Sequence, residues 1–328
     1  MTSRRYQILH DTHYRYAAPV SLAQQLAHLW PRECPRQRCL SRELEILPQP
    51  SQRQDGQDVF GNPLTRLAFE RPHESLQVNA RLLVEVSARP PLQLADSPAW
   101  EQVREQLAYH GGQLGEAALE AARFRVESPF VRLKQAFADF AADCFVPQRP
   151  YLLCVAALMG KIFEEFTYDG EATLVATPLL EVLEKRRGVC QDFAHLMLAS
   201  LRARGFAARY VSGYLLTHPP AGQARLIGAD ASHAWVSVYC PKLGWVDFDP
   251  TNNLLPELEH ITLAWGRDFA DVSPLRGVIL GGGSHDPEVR VTVMPLGDPV
   301  QYQSQSQSQS QSLSLPRPAA LQPLGSRR

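Results

Sequence analysis

The segment Arg187-Gly188-Val189-Cys190-Gln191-Asp192-Phe193-Ala194-His195 decides the fold of the functional half of this chain. It places one cysteine between a helix-breaking glycine and a strongly helical run. That run, residues 191–204, has apolar side chains on one face and is followed by Gly205, a residue that often ends helices in a left-handed conformation. The pattern predicts that Cys190 opens a helix. Unpaired N–H groups and the partial positive charge at a helix start favour the thiolate, the nucleophilic form of cysteine.

Two motifs downstream of this cysteine carry a histidine and an aspartate. They are Ser232-His233-Ala234-Trp235 and Asp247-Phe248-Asp249-Pro250-Thr251. Acyl transfer through a thiol needs a nucleophile, an imidazole within hydrogen-bonding reach and a third group that fixes the tautomer of the imidazole. Cys190, His233 and Asp249 can supply these groups. The sequence therefore predicts a thiol acyl-transfer enzyme with a Cys-His-Asp triad.

The strand pattern sets a geometric condition on this triad. Strands are predicted over residues 208–216, 234–240 and 244–248. If the turn between the last two held four residues, 241–244, period-two alternation would place His233 and Asp249 on opposite faces of the sheet. We therefore expect a turn of odd length or a β-bulge, that is, an irregularity between Trp235 and Asp249. Asp247, on the same face as Asp249, is the alternative orienting acid.

Further residues around the motifs are candidates for supporting roles. The backbone N–H of Cys190 is a natural oxyanion donor. Candidates for a second oxyanion donor or a substrate wall are Tyr168, Gln191 and Trp235. His195 is an alternative base, but its ring should project from the flank of the helix, so a structural role is expected. A zinc site is the competing interpretation, with the ligands Cys190, His195, His233 and Asp249. Its Cys-x4-His spacing is uncommon, so we predict no metal and no cofactor.

The composition bounds the partners and the compartment. The 328 residues include 33 basic and 34 acidic side chains, and the net charge of −1 argues against nucleic acid or an anionic membrane as partner. No window reaches eighteen uninterrupted apolar residues, and we find no secretion signal. The six cysteines are expected to be reduced thiols in a chain of this length. These features predict a cytoplasmic protein.

The pattern along the chain predicts four regions in an α+β fold. Residues 1–90 show short alternating runs separated by turns with Pro, Gly and Asn, typical of an all-β sandwich. Residues 91–150 are assigned to a helical connection and the start of the core, and residues 151–299 to a catalytic core of helices packed on an antiparallel sheet, with C-terminal strands. Helices are predicted over residues 100–107, 116–124, 130–137 and 151–166. The Gln-, Ser- and Pro-rich residues 300–328 are predicted to be disordered.

Together these motifs resemble the transglutaminase-like superfamily, a group of papain-like thiol enzymes found in bacteria. The matching core runs from about Tyr151 to Asn253. It contains the motifs at residues 187–196, 208–214, 233–235 and 244–251. Residues 6–16 and 58–62 resemble the β-rich domain that precedes the core in one bacterial group, and residues 265–272 resemble the C-terminal segment of that group. The resemblance covers about residues 5–295.

The resemblance implies a papain-like core in which Cys190, His233 and Asp249 form the triad. We expect it to hydrolyse a peptide or isopeptide bond of a protein or peptide substrate. The alternative is a protein-glutamine transglutaminase that forms isopeptide bonds, and a non-catalytic binding scaffold is the third possibility. Animal transglutaminases use calcium, but no acidic loop here resembles a calcium site, so the resemblance implies no metal.

Overall fold

The computed structural model describes residues 2–108, 115–170, 177–217, 225–227, 232–285, 287–297, 302–304 and 309–310. Its strands are β1 (Ser3–Ala27), β2 (Gln37–Leu47), β3 (Gln52–Gln57), β4 (Pro63–Phe69), β5 (His73–Ser87), β6 (Thr167–Tyr168), β7 (Arg187–Gly188), β8 (Ala208–Leu215), β9 (Arg225–Ile227), β10 (Ser232–Cys240), β11 (Gly244–Phe248), β12 (His260–Gly266), β13 (Leu275–Gly281), β14 (Pro287–Leu296), β15 (Tyr302–Ser304) and β16 (Gln309–Ser310). Its α-helices are α1 (Trp100–Leu107), α2 (Glu116–Ala122), α3 (Gln135–Phe140), α4 (Tyr151–Glu165), α5 (Leu179–Lys185), α6 (Cys190–Ala203) and α7 (Phe269–Val272).

The long strand β1 organises the N-terminal region. Its first half pairs with β5 and β14, and its second half, from Val20, pairs with β13 and β4. Tyr6 and Ile8 from the first half and Ala23 from the second lie buried in the same hydrophobic core. The remaining strand pairs are β2 with β5, β3 with β4 and β14 with β16. One strand shared by two sets of partners thus encloses a common core, in the manner of the predicted sandwich.

The C-terminal strands lie in a different domain from the one predicted. Their predicted place is the catalytic core, residues 151–299, but β13 and β14 are antiparallel partners of β1. Val291 and Val293 of β14 are buried in the N-terminal core. The physical reason is the length of β1, which has 25 residues and carries backbone N–H and C=O groups on both of its edges. Where these groups are buried they need hydrogen-bond partners, which the later strands β13 and β14 supply. The N-terminal domain is therefore completed by β13 and β14, which follow the catalytic-core strands in the chain.

A second sheet, in the order β11-β10-β8-β12, forms the centre of the core. All its pairs are antiparallel. Ala234, Val236 and Val238, alternate residues of β10, share one hydrophobic cluster with buried residues of α4 and α6. Helices packed on an antiparallel sheet, beside an all-β region, make up the predicted α+β class.

A buried arginine anchors the C-terminal end of α6, the helix that begins at Cys190. Arg202 Nε and Nη2 donate to the carbonyl oxygen of Ala208 at 3.0 and 2.8 Å, and its Nη1 lies 3.3 Å from Ser128 Oγ. Burial lowers the pKa of Arg202 to about 10, which leaves it charged at neutral pH. These bonds tie α6 to β8 and to the segment before α3, so the helix is held as a rigid element.

Strands β8 and β12 belong to the core sheet and also pack against the N-terminal domain. Tyr214 and Ile261 lie in the N-terminal hydrophobic cluster. Gln37 binds the backbone of Thr262 twice, because its Oε1 accepts from the N–H at 2.8 Å and its Nε2 donates to the carbonyl at 2.7 Å. His10 Nδ1 lies 2.8 Å from Tyr214 Oη. The two domains therefore share buried polar contacts as well as apolar ones.

Stacked arginine and tryptophan side chains cross the same boundary. The Arg32 guanidinium lies 3.7 Å from the ring centroid of Trp265, and the Arg209 guanidinium lies 3.6 Å from Trp265 and 4.1 Å from Trp245. Burial lowers the pKa of Arg209 to about 9, and the carboxylate of Asp247 opposes this shift. Planar guanidinium groups stack well on aromatic rings, so the stack connects the two domains.

The predicted disordered tail, residues 300–328, lies almost wholly outside the described residues. Two short pieces of it are described, β15 beside β9 and β16 beside β14, and the expected disorder stays a prediction. Within the described ranges, no helix combines the length and the apolarity needed to cross a bilayer. All six cysteines are described, and each is a free thiol.

Candidate active site

Cys190 is the first residue of α6, as predicted, and its side chain is partly exposed. The Asp192 carboxylate accepts a hydrogen bond from the N–H of Val189 at 2.9 Å and so caps the start of the helix. Gly188 leaves room for this carboxylate, because a Cβ at that position would lie 2.7 Å from Asp192 Oδ2. The residues just before and after Cys190 therefore set the direction in which the helix begins.

The hairpin of β10 and β11 brings His233 and Asp249 to the same face of the sheet. Cys240 pairs with Gly244, so the turn between them holds three residues, 241–243, and has the odd length that was one of the two expected alternatives. Changing the turn length by one residue reverses the face on which every later side chain lies. Gly244 has a φ of 72°, the left-handed conformation that recurs in three-residue hairpin loops. The predicted irregularity is this odd turn, and the pairing beyond it is regular.

His233 lies at the centre of the candidate site. Its Nε2 is 2.7 Å from Asp249 Oδ2, and its ring shares a side-chain hydrogen bond with Cys190. Because Nε2 faces the carboxylate, Nδ1 is the ring nitrogen left for the sulfur. The structure thus brings together the three residues predicted as a triad.

Asp249 is fully buried and accepts five hydrogen bonds. Its Oδ2 accepts from His233 Nε2 and Asn252 Nδ2, both at 2.7 Å, and from His260 Nε2 at 3.1 Å. Its Oδ1 accepts from the backbone N–H groups of Thr251 at 2.9 Å and Asn252 at 3.3 Å. A carboxylate has about four lone-pair sites, so its acceptor capacity is filled.

The hydrogen bonds set the charge states of these groups. Burial would raise the pKa of Asp249, but bonds from His233, His260 and Asn252 and the charge of His233 hold it well below its usual range. Burial lowers the pKa of His233, while its hydrogen bonds to Asp249 and Cys190 and the charges of both raise it to about 10. The imidazole is therefore protonated at neutral pH. An imidazolium between a carboxylate and a cysteine sulfur is suited to nucleophilic acyl transfer.

Two regions of the chain match known protein families. The bacterial transglutaminase-like N-terminal region matches residues 6–85, and the transglutaminase-like superfamily matches residues 139–250, which include the three residues predicted as a triad. An uncharacterized protein of Mycobacterium bovis is 39% identical over 301 residues, which cover 89% of this chain and 93% of the relative. The chain belongs to the transglutaminase-like superfamily.

Two further relatives of this superfamily member are informative. A protein-glutamine gamma-glutamyltransferase of Pseudomonas aeruginosa is 33% identical over 138 residues, 39% of this chain and 21% of the relative. A crystal structure from Cytophaga hutchinsonii, of a protein proposed to be a cysteine protease, has a TM-score of 0.69 and covers 94% of this chain and 97% of that one. At 20% sequence identity, this likeness shows a shared fold.

His260, the first residue of β12, also belongs to this transglutaminase-like site, although no motif in the sequence points to it. Its Nε2 lies 3.1 Å from Asp249 Oδ2, and the ring is buried. The register of β12 against β8 shifts between Thr262 and Ala264. This bulge keeps His260 and Trp265 on one face of the sheet. Only the pairing of β12 with β8 could have identified His260 as a site residue.

Trp235 packs between the two histidines. Its ring is stacked on His233 at 6.1 Å and edge-on to His260 at 5.3 Å. It is only 1% exposed, so the prediction that it walls a substrate cleft does not agree with its position. Gly213 of β8 makes room for the indole, because a Cβ there would lie 2.5 Å from Trp235 Cη2 and 2.1 Å from the carbonyl oxygen of Ile261. Trp235 therefore supports the histidine rings from inside the protein.

Tyr168 and Gln191 lie beside Cys190, where an oxyanion donor or a substrate wall is needed. Tyr168 is 58% exposed, and its strand β6 pairs with β7, which ends two residues before Cys190. Burial raises the pKa of Tyr168, and the charges of Cys190 and Asp192 raise it further, as expected for a phenol near these groups. Gln191 is half-buried in the first turn of α6. The catalytic roles of both residues stay predictions.

His195 lies apart from the triad and has a packing role. Its ring stacks on Phe130 at 5.5 Å, and its Nε2 accepts a hydrogen bond from the N–H of Phe269 at 3.2 Å. Burial, together with the charge of Arg202, lowers the pKa of His195 to about 3. It is therefore neutral over the physiological range, and its contacts direct it away from the role of a base.

The alternative zinc interpretation fails on the same contacts, because His195 is held against Phe130 and Phe269. Among the described residues, the group with ligand atoms within 4.8 Å of one another is His233, Asp249 and His260. These atoms are already joined by hydrogen bonds through Asp249 Oδ2, and a metal ion would have to displace both of them.

Asp247, the alternative orienting acid, precedes Asp249 by two residues in β11. It pairs with Ser237 across the hairpin. Its charge acts on the buried Arg209, whose pKa it raises against the effect of burial. The carboxylate that contacts His233 is that of Asp249.

Proposed function

We propose that this protein is a cysteine-dependent acyl-transfer enzyme that hydrolyses a peptide or isopeptide bond of a protein or peptide substrate through a thioester at Cys190. One observation carries the proposal. His233 is hydrogen-bonded to Cys190 on one side and, at 2.7 Å, to the fully buried Asp249 on the other. Membership of the superfamily and the position of Cys190 at the start of a helix support the same chemistry.

In the first step, the sulfur of Cys190 attacks the carbonyl carbon of the amide, and an S–C bond forms. The C–N bond breaks as the His233 imidazolium gives a proton to the departing amine. Asp249 orients the ring and compensates its charge. The backbone N–H groups that a helix start leaves unpaired, including that of Cys190, are available to donate to the developing oxyanion.

In the second step, water attacks the thioester carbon while His233 accepts a proton from it. The S–C bond then breaks, the carboxylic acid leaves, and the thiolate–imidazolium pair forms again. The overall reaction converts one amide and one water into an acid and an amine. Water is the preferred acceptor in this proposal because it is far more concentrated than any amine and needs no acceptor pocket.

Selective alkylation tests the enzyme proposal. Iodoacetamide should modify Cys190 at pH 7 about tenfold faster than a free thiol, and His233→Ala should abolish this advantage. Peptide mass spectrometry resolves the six cysteines, and Cys39 serves as the internal control, since burial raises its pKa and it lies outside the site. If Cys190 reacts no faster than Cys39 and His233→Ala changes nothing, the protein is a non-catalytic scaffold and the proposal fails.

Transfer to a lysine amine is the second candidate, because the relative from Pseudomonas aeruginosa is named as a protein-glutamine gamma-glutamyltransferase. The two activities differ in the acceptor. Dimethylated casein incubated with a fluorescent alkylamine separates them, with Cys190→Ser as the blank. We expect release of peptides or ammonia that does not depend on the amine. Incorporation of the amine without hydrolysis in its absence would reverse the order of the two candidates.

We propose a cytoplasmic location and a protein or peptide as the partner, with no nucleic-acid or membrane partner. The free thiols and the near-neutral net charge support this part of the proposal. Immunodetection in fractionated cells tests it. Recovery of the protein in an envelope fraction contradicts the location.

A further inference from the structure

We infer that His260 is a positioning residue of the proposed reaction. Its Nε2–H donates a hydrogen bond to Asp249 and so fixes the orientation of that carboxylate. The same bond reduces the negative charge that the carboxylate exerts on His233. The inference rests on the proposed function, because it concerns the same site. It assigns a role to a side chain that lies outside the three motifs. His260 acts through Asp249 and is not itself in contact with Cys190 in this assignment.

Two imidazoles share one oxygen of the Asp249 carboxylate. His233 Nε2 and His260 Nε2 lie 2.7 and 3.1 Å from Asp249 Oδ2. The pKa of Asp249 is well below its usual range, so the carboxylate is ionised and can only accept hydrogen bonds. Both ring nitrogens that face it must therefore carry a hydrogen. His260 is fixed as an Nε2–H donor.

His260 Nδ1 is buried, and among the described residues it has no hydrogen-bond partner. His260 therefore contacts Asp249 through Nε2 alone, and its only side-chain hydrogen bond among the described residues is the one to this carboxylate.

The His260 ring packs against the rings of Trp235 and His233. The Trp235 ring meets His260 edge-on, with centroids 5.3 Å apart and planes at 86°, and the His233 ring lies 5.9 Å away. The charged and titratable groups around the pair come from three elements: Asp249 after β11, His233 on β10 and Cys190 on α6. The bulge in β12 sets the direction of His260 toward Asp249. Among the described residues, the ring therefore has no second hydrogen-bond partner, and the Trp235 ring packs against it.

Loss of the His260 donor should leave more negative charge on Oδ2 for His233. The imidazolium of His233 should then hold its proton more tightly and give it less readily to a departing amine. Leucine at position 260 removes the donor and keeps an apolar side chain of similar reach. Glutamine keeps an amide N–H at about the position of Nε2, so it should restore the effect.

The test follows the protonation of His233 through the chemistry of Cys190 and needs no substrate. Iodoacetate is an anion, and its attack is favoured by a neighbouring imidazolium, whereas iodoacetamide is neutral. The ratio of the two alkylation rates at Cys190 should fall as His233 loses its proton, with a midpoint at about pH 10 in the unmodified protein. His260→Leu should raise this midpoint by about half a unit or more. His260→Gln should return it to the original value.

The matched control is His10→Leu, which removes another buried histidine that is hydrogen-bonded to a neighbour. It should lower the unfolding free energy without moving the midpoint, which separates positioning from a general loss of stability. An unchanged or lower midpoint in His260→Leu, or no restoration by glutamine, overturns the inference. These failures are distinct from failure of the proposed function, in which Cys190 shows no enhanced reactivity in the unmodified protein and no ratio profile exists to shift.

Discussion

At the scale of single residues, the buried carboxylate of Asp249 determines the electrostatics of the site. It accepts from two imidazoles, one amide and two backbone N–H groups, and no other described acid contacts His233. An ion removed from water in this way is stable only when all its acceptor positions are used. The same bonds keep His233 protonated at neutral pH, so one side chain both orients the ring and sets its charge.

Asp249→Asn should therefore abolish the enhanced reactivity of Cys190. The amide retains the size of the carboxylate but removes the charge that raises the pKa of His233, and it offers His233 the wrong hydrogen-bonding partner. On a cleavable peptide, kcat/KM should fall by about a thousandfold or more. Iodoacetamide alkylation of Cys190 at pH 7 is the measurement that needs no substrate. Asp247→Asn, two residues away, is the matched control and should keep the fast reaction; equal behaviour of the two variants contradicts the assignment.

At the scale of elements, the start of α6 and the three-residue turn of the β10–β11 hairpin position the three residues of the proposed triad. The helix start depends on local residues only, because Asp192 caps Val189 within the same turn. The turn determines which face of β11 carries Asp249. The predicted helix over residues 130–137 shows the limit of local patterns, since α3 begins only at Gln135. The N–H of Phe130 donates instead to Asp268 Oδ2, a partner 138 residues away.

Gly188→Ala should disturb the start of α6. The added Cβ would lie 2.7 Å from Asp192 Oδ2 and 2.8 Å from its Cβ, so the cap on Val189 must shift. We expect the unfolding free energy, measured by urea denaturation, to fall by about 1–2 kcal/mol, and the alkylation of Cys190 to slow in parallel. Gly115→Ala is the control, because a Cβ there meets nothing within 4 Å and its φ of −60° suits any residue. A stability of Gly188→Ala equal to that of the control would show that the cap does not depend on this glycine.

At the scale of the whole molecule, the two domains are interlocked. Strands β13 and β14 complete the first domain, and Gln37, His10 and Arg32 from that domain contact the core strands β8 and β12. Contacts of this kind make separate unfolding of the core costly, since Tyr214 and Ile261 would be exposed. We expect a single cooperative unfolding transition.

Two buried histidines with lowered pKa values predict that acid destabilises the protein before its carboxylates titrate. Burial lowers the pKa of His10 to about 4 and that of His195 to about 3. Below the unfolded value of about 6.5, the unfolded chain binds protons that the folded protein does not, so stability falls as pH decreases from 6.5 toward 4. Each histidine should contribute about 1 kcal/mol per pH unit. Urea denaturation at pH 6.5, 5.5 and 4.5 measures the slope.

His10→Gln is the variant that isolates one contribution to this slope. It keeps a hydrogen-bonding side chain opposite Tyr214 but cannot take up the proton. The slope should therefore decrease by about the share of one histidine, with one transition for both domains. An unchanged slope would show that His10 is protonated in the folded protein as well.

The residues of the sequence by themselves predicted the α+β class, the helix that begins at Cys190 and the three residues proposed as a triad. Each of these follows from local patterns: glycines at the ends of helices, polar and apolar residues that alternate along strands, and the base and acid that a thiol nucleophile needs. Only the tertiary structure decided the place of β13 and β14, the partner of Phe130 and the contact of His260 with Asp249. These depend on which distant backbone edges and side chains meet, and His260 reaches Asp249 through a bulge that no spacing in the chain encodes.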